Sequence, residues 1–132
     1  MNKKSYSLLE LNTFIKRILA LNFDQDIWVK AEILSLNIKK GHYYLTLIQK
    51  EEGSNEIVAQ INATIWSTEV QRIKKTNPDL DSYFIAGHEV MLGGTPIFHE
   101  KFGLQLRISS IDTAFTRGAL DQKREELFNR IK

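Results

Sequence analysis

The side chains best suited to catalysis in this sequence do not fall at catalytic or metal-binding spacings. His42, His88 and His99 are far apart, and there is no His-x-x-x-His pair or Asp-x-Asp group at the spacing of metal ligands. The absence of cysteine excludes thiolate nucleophiles, disulfides and cysteine-based zinc sites. Gly93-Gly94 lacks the Lys-Ser/Thr of a phosphate-binding loop, and no nucleophile elbow is present. The sequence therefore predicts no catalytic residues, no metal and no cofactor.

Composition is that of one ordinary globular domain. The 132 residues are 42% hydrophobic and 26% charged, which is far from disordered or collagen-like sequences. The net charge of +2, from 18 basic and 16 acidic residues, is too small to identify a nucleic-acid binder by itself. No apolar run approaches the roughly 18 residues of a membrane span, and no signal-peptide core follows the N-terminus. We expect a cytoplasmic domain without membrane contact.

Hydrophobic periodicity predicts the helices. Ser7-Leu8-Leu9-Glu10 is a capping box, and apolar residues at three- and four-residue spacing behind it predict an amphipathic helix over about 7–21. A short polar helix is expected over 67–76, ending before Asn77-Pro78 because proline disfavours the helical conformation in the preceding residue. A last helix is expected over about 119–131.

Alternation of apolar and polar residues predicts the strands. Three are expected at about 27–38, 42–48 and 57–66, and in the second Tyr43, Leu45 and Leu47 face opposite to Tyr44 and Thr46. A strand over 88–92 is interrupted at 93–96, where a glycine pair suggests a bulge or barrel corner, and the chain resumes at 97–99 and 104–108.

This order predicts an all-β core with flanking helices. Five short strands with a helix between the third and fourth is the layout of the OB-fold, a five-stranded Greek-key barrel. Here it carries an N-terminal and a C-terminal helix. The alternative is a generic α+β sheet built from the same elements.

An OB-fold binds single strands on the outer face of its second and third strands, between two flanking loops. Tyr44 is then a ring on which a base can stack, although it can instead pack under the N-terminal helix. The polar and charged residues expected beside it are Lys39 and Lys40 in the first loop, Gln60, Asn62 and Thr64 on the third strand, Lys101 in the second loop, and Arg107 on the fifth strand. For the three lysines the alternative is ordinary solvated charge, and for Gln60, Asn62 and Thr64 it is a polar sheet face that only contacts water. Trp28 and Trp66 are expected to pack over barrel ends beneath helices.

Several stretches resemble one family in the right order along the chain. They are Tyr6-Ser7-Leu8-Leu9-Glu10-Leu11-Asn12, Trp28-Val29-Lys30-Ala31-Glu32-Ile33, Gly41-His42-Tyr43-Tyr44-Leu45-Thr46-Leu47, Ala59-Gln60-Ile61-Asn62-Ala63-Thr64-Ile65-Trp66, and Gly118-Ala119-Leu120 with Glu125, Leu127 and Arg130-Ile131. Together they resemble the N-terminal domain of the exodeoxyribonuclease VII large subunit. That family commonly has a basic residue at Asn62 and arginines near Gly93 and Thr95, so this chain carries less positive charge on the same face.

The resemblance implies a domain that binds single-stranded DNA and presents it to a downstream catalytic domain, which degrades it to oligonucleotides. A small subunit would bind through regions absent here. The expected organisation is an N-terminal helix packed on the barrel at 1–22, the nucleic-acid-binding barrel at 23–113, and the start of a connecting helix at 114–132. Two other functions remain open, an RNA-binding module of the anticodon-binding type and a protein-interaction module that binds no nucleic acid.

Overall fold

The computed structural model describes residues 3–115 and 118. The helices are α1 (Leu8–Asn22), α2 (Ser67–Thr76) and a 3-10 helix at Leu80–Ser82. The strands are β1 (Ile27–Lys39), β2 (His42–Lys50), β3 (Ile57–Ile65), β4 (Glu89–His99) and β5 (Gly103–Ile111). Helical backbone begins again at Thr113, but the helix predicted over 119–131 lies outside the described residues.

The five strands form a closed barrel in the order β1-β2-β3-β5-β4. Neighbouring strands are antiparallel except β3 and β5, which run parallel. With α2 between β3 and β4, this is the five-stranded OB-fold barrel that the sequence predicts, and that prediction is confirmed. None of the helices in the described part of the chain is long and apolar enough to cross a membrane.

The barrel interior is filled by alternate residues of its strands. On β2, Tyr43, Leu45 and Leu47 are almost completely buried, and Tyr44 between them is 38% exposed. The predicted register of this strand is therefore correct. Buried side chains of α2, Val70 and Ile73, join the same apolar cluster.

The pairing of β4 with β5 is irregular at the glycine pair, where β5 carries one extra residue, Ser109. The register of β4 against β5 shifts between Gly93 and Gly94, as expected for the glycine pair, but the strand continues through the pair to His99. A Cβ on Gly94 would lie only 2.2 Å from the carbonyl oxygen of Arg107. Only glycine permits this approach, so β4 passes this point in close contact with the backbone of β5.

A second bulge, not predicted from sequence, lies in β1 between Ile33 and Ser35. It reverses the facing of the later residues, so that Leu36 packs against the core while Ser35 and Asn37 face outward. Leu34 is consequently exposed. The second half of β1 thereby adds to the outer face of β2 and β3.

Helix α1 begins with the predicted capping box. Ser7 Oγ accepts a hydrogen bond from the Glu10 N–H, and Glu10 Oε1 accepts one from the Ser7 N–H. The helix contacts β4. Asn12 donates to the Glu100 carbonyl, and Lys16 Nζ lies 2.8 Å from Glu100 Oε1. The lysine donates a hydrogen bond that is the main cause of a lowered Glu100 pKa.

Helix α2 ends at Thr76 as predicted, and its first turn is satisfied from outside the helix. The Ser67 N–H donates to His42 Nδ1 at 2.9 Å, while Trp66 at the N-cap position makes no side-chain cap. His42 thus supplies the acceptor that a capping serine or aspartate normally provides. This contact fixes α2 to the start of β2.

The two tryptophans contradict the prediction that they pack beneath helices. Trp28 is 58% exposed, and its indole covers the bare backbone of Gly93, its partner across β1 and β4. Trp66 is 38% exposed on the outer face of the barrel. The alternation of apolar and polar residues in the sequence is consistent with an outward position for both rings. Which neighbouring residue each ring covers depends on how the strands pair in the barrel.

Replacing Leu45 with alanine should lower the free energy of unfolding by about 2–5 kcal/mol, because the substitution leaves a cavity in the barrel interior. Denaturant titration would measure the change. Leu34→Ala is the matched control on the outer surface, where less than about 1 kcal/mol is expected. Equal losses at the two positions would contradict the register described here.

Acid should selectively weaken the contact between β2 and the 3-10 helix. Tyr43 donates a hydrogen bond to Asp81, which lowers the Asp81 pKa, and Lys74 adds a second hydrogen bond at 3.2 Å. The resulting stability is complete above the unfolded-state pKa of about 3.9 and is lost as the pH falls through the lower folded-state pKa. Asp81→Asn should therefore destabilise the domain at neutral pH and have less effect in acid. In a Tyr43→Phe background, denaturant titrations should show a smaller pH-dependent effect of Asp81→Asn.

Candidate nucleic-acid interface

A groove of about 680 Å³ runs across the outer face of the barrel. Its floor consists of outward residues from four strands, Ser35 and Asn37 of β1, Tyr44 and Thr46 of β2, Asn62 and Thr64 of β3, and Gln105 and Arg107 of β5. Side chains alternate along a strand, so these groove residues are the sequence neighbours of the residues that fill the core.

The strand register places these residues in two rows. In the first row, Asn37 pairs with Tyr44, Tyr44 with Thr64, and Thr64 with Arg107. The second row follows the same strands through Ser35, Thr46, Asn62 and Gln105. Directly opposed residues lie within about 5.5 Å at Cβ. A ring, hydroxyl and amide groups, and a guanidinium therefore share one surface.

Aromatic side chains stand at one end of the groove. Tyr44 and Trp66 both line it, and His42 makes an edge-to-face contact with each ring, at centroid distances of 6.4 Å to Tyr44 and 4.9 Å to Trp66. His42 is itself held by the Ser67 N–H. The two larger rings are thus oriented before any ligand arrives.

A second pair of rings lies at the other end, where β4 turns into β5. His99 and Phe102 line the groove with ring centroids 4.7 Å apart, and Phe102 is 65% exposed. His99 Nδ1 accepts hydrogen bonds from the backbone N–H groups of Lys101 and Phe102. The Lys101 ammonium lies 5.6 Å from the centre of the Phe102 ring. The turn is therefore rigidly shaped and presents a flat ring with a cation on it.

Arg107 is the cation within the groove. No residue in 3–115 or at 118 forms a hydrogen bond or ion pair with its guanidinium, and no aspartate or glutamate lines the groove in the described part of the chain. Asp26 does not line the groove, and hydrogen bonds from Ser109 and Thr95 lower its pKa. The charge of Arg107 is consequently available to an anionic ligand.

The structure brings together four of the eight residues predicted as the site. Tyr44, Asn62, Thr64 and Arg107 line the groove. Lys39, Lys40, Gln60 and Lys101 do not; Gln60 lines a smaller neighbouring cavity, and the three lysines stand beside the groove.

The lysines predicted for the first loop need one correction. Lys39 is the last residue of β1, and only Lys40 and Gly41, both with positive φ, form the turn. This is the two-residue hairpin turn typical of paired strands, so there is hardly a loop. Lys39 follows Ser35 and Asn37 on alternate positions and therefore extends the outward row of β1.

Sequence reasoning missed several residues that line the groove. They are Ser35, Asn37, Trp66, Ile97, His99, Phe102 and Gln105. Phe102 could have been recognised from the sequence, because a phenylalanine in a three-residue turn between two strands has no core to fill. Ser35 and Asn37 depend on the β1 bulge, and no residue type marks that bulge.

Comparison with known proteins agrees with this geometry. Residues 6–112 match the family described as the OB-fold nucleic acid binding domain. The exodeoxyribonuclease 7 large subunit of Deinococcus radiodurans is 31% identical over 116 residues, which are 84% of this chain and 28% of that protein. The exodeoxyribonuclease 7 large subunit of Parasynechococcus marenigrum is 31% identical over 83 residues, which are 63% of this chain and 20% of that protein. The predicted resemblance is confirmed.

The chain spans less than a third of the length of these relatives. Among solved structures, the S. pombe Stn1-Ten1 complex is similar with a TM-score of 0.45 and 15% identity, over 80% of this chain and 74% of that one. Such a likeness is too weak to bear on function. The match over residues 6–112 and the closed barrel together show that the chain belongs to the family of OB-fold nucleic acid binding domains.

Proposed function

We propose that this domain binds single-stranded DNA across the groove and presents it to a catalytic domain of the exodeoxyribonuclease VII type. The observation that carries the proposal is the row from Asn37 through Tyr44 and Thr64 to Arg107. It places an exposed ring in register with a guanidinium that has no partner among the described residues. Single strands need both, a flat surface for bases and positive charge for the backbone.

Each part of the groove has a role in this proposal. Tyr44 stacks a base, and Arg107 binds a phosphate. The hydroxyl and amide groups of Thr64 and Asn62 hydrogen-bond sugar or base edges, as expected for polar residues beside a stacking platform. Lys39 with Lys40 at one end and Lys101 at the other attract the backbone where the strand enters and leaves. Gln60 lies outside the groove, so only DNA that extends beyond the groove contacts it.

The larger context comes from the relatives. Because this chain corresponds to about a quarter of the Deinococcus protein, degradation of the strand to oligonucleotides is assigned to a domain beyond the barrel. We infer the organisation expected from sequence, with a helix at 1–22, the binding barrel at 23–113 and a connection from 114 onward. A small subunit would bind that further part. The absence of cysteine fits a cytoplasmic protein.

Replacing Tyr44 with alanine should weaken binding of an unstructured DNA oligomer by about 1–3 kcal/mol, because one stacked base is lost. Folding should be largely retained, since the ring is outside the core. Oligonucleotide titration and thermal melting would measure both effects. Tyr6→Ala removes an exposed tyrosine away from the groove and serves as the control. Unchanged affinity after Tyr44→Ala would sink the proposed binding mode.

The domain should prefer single strands to duplex, and salt should weaken binding by about 0.7 logarithmic units per phosphate contact. Arg107→Gln should reduce that slope by about one contact, whereas Arg17→Gln on α1 should leave it unchanged. Titrations over a salt series provide the slope. Tighter binding of matched RNA than of DNA would favour an RNA-binding module, because only RNA offers the 2′-hydroxyl. Binding that is absent or independent of salt would favour a protein-interaction module.

A further inference from the structure

A second cavity, of about 360 Å³, lies between α1 and the second half of β4. We call it the α1–β4 pocket. Its own walls are mainly apolar, formed by Ala20 of α1, Phe23 at the end of that helix, and Pro96 and Phe98 of β4. Its volume is within the range of cavities that hold small ligands, which begin at about 300 Å³.

The pocket adjoins the groove. Ile97, His99 and Arg107 line both cavities. The strand register explains this, because Arg107 is opposed by Thr64 on the groove side and by Thr95 on the pocket side. A chain lying in the groove therefore reaches the pocket by crossing Arg107.

Charge at the pocket also suits a nucleotide. Lys16 lies on the pocket wall, and its ion pair with Glu100 leaves little net charge there. Arg107 has no partner among the described residues. The positive charge is thus at the boundary between the cavities, and the apolar surface is inside the pocket.

We propose that the α1–β4 pocket takes one nucleobase from an end of the single strand whose central bases lie in the groove. The phosphate before that base binds Arg107, and the base enters between Phe23 and Pro96. The inference rests on the proposed function, since the same strand occupies both cavities. It makes α1 part of the binding surface. It also means that one particular end of the bound DNA strand lies beside α1.

Affinity for oligothymidylates of about 4–16 nucleotides tests this proposal, because that range covers the site sizes of OB-folds. Affinity should rise in one step, by about fivefold or more, at the length at which the oligomer can place a base in the pocket. A step of this size corresponds to the free energy that one stacked base contributes. Ala20→Trp fills the pocket and should abolish this step without changing affinity for shorter oligomers. Leu21→Trp, on the neighbouring exposed position, should leave the step intact.

An abasic nucleotide identifies the base as the occupant. Placed at one end of the long oligomer it should remove the step, and placed at the other end it should have no effect, which also gives the direction of the strand. Should Ala20→Trp melt at a lower temperature than the unmodified domain, Phe23→Leu tests the same wall with less change in volume, and it should reduce the step.

The outcomes separate this inference from the proposed function. A step that persists in Ala20→Trp and Phe23→Leu, or no step at all, overturns the pocket assignment while binding of short oligomers still supports the groove. If oligomers of every length fail to bind, both proposals are wrong.

Discussion

The close approach of β4 to β5 at Gly94 is the constraint on which the rest of the structure depends. A Cβ there would lie 2.2 Å from the Arg107 carbonyl oxygen, so β4 can pair this closely with β5 only because glycines occupy positions 93 and 94. The extra residue at this point is Ser109 of β5, so the alternation of β4 continues unchanged through the pair. Ile97 then lines the outer groove, and the segment beyond the pairing with β1 is left for α1 to cover.

Closure also determines where the functional groups meet. Arg107 is 63 positions from Tyr44 in the sequence, yet β3 pairs with β2 on one side and with β5 on the other. A single row of side chains therefore runs from a ring to a guanidinium. The pleat that sends Leu45 and Leu106 into the core sends Tyr44 and Arg107 outward, so the core and the groove use alternate residues of the same strands.

Rings contribute more to this surface than charges do. Tyr44, Trp66, His99 and Phe102 line a groove that contains one unpaired arginine among the described residues. In the proposed binding mode, stacking therefore contributes most of the affinity and electrostatic attraction contributes less. His42 and His99 each hold a neighbouring aromatic side chain in place. In both, Nδ1 accepts hydrogen bonds from the backbone, from the N–H of Ser67 in His42 and from the N–H groups of Lys101 and Phe102 in His99.

Local patterns in the sequence determined the helix starting after Ser7, the end of α2 before Pro78, the bulge at Gly93-Gly94 and the facing of Tyr44 and Leu45. These features depend on residue type or on a period of two, and both act over a few neighbours. The tertiary structure alone decided the β1 bulge that exposes Ser35 and Asn37 and the outward position of Trp28 and Trp66. It also decided that Tyr44 and Arg107 lie in one row of the barrel surface. Those outcomes depend on which strands become neighbours when the barrel closes, and pairing between distant segments leaves no local periodicity to read.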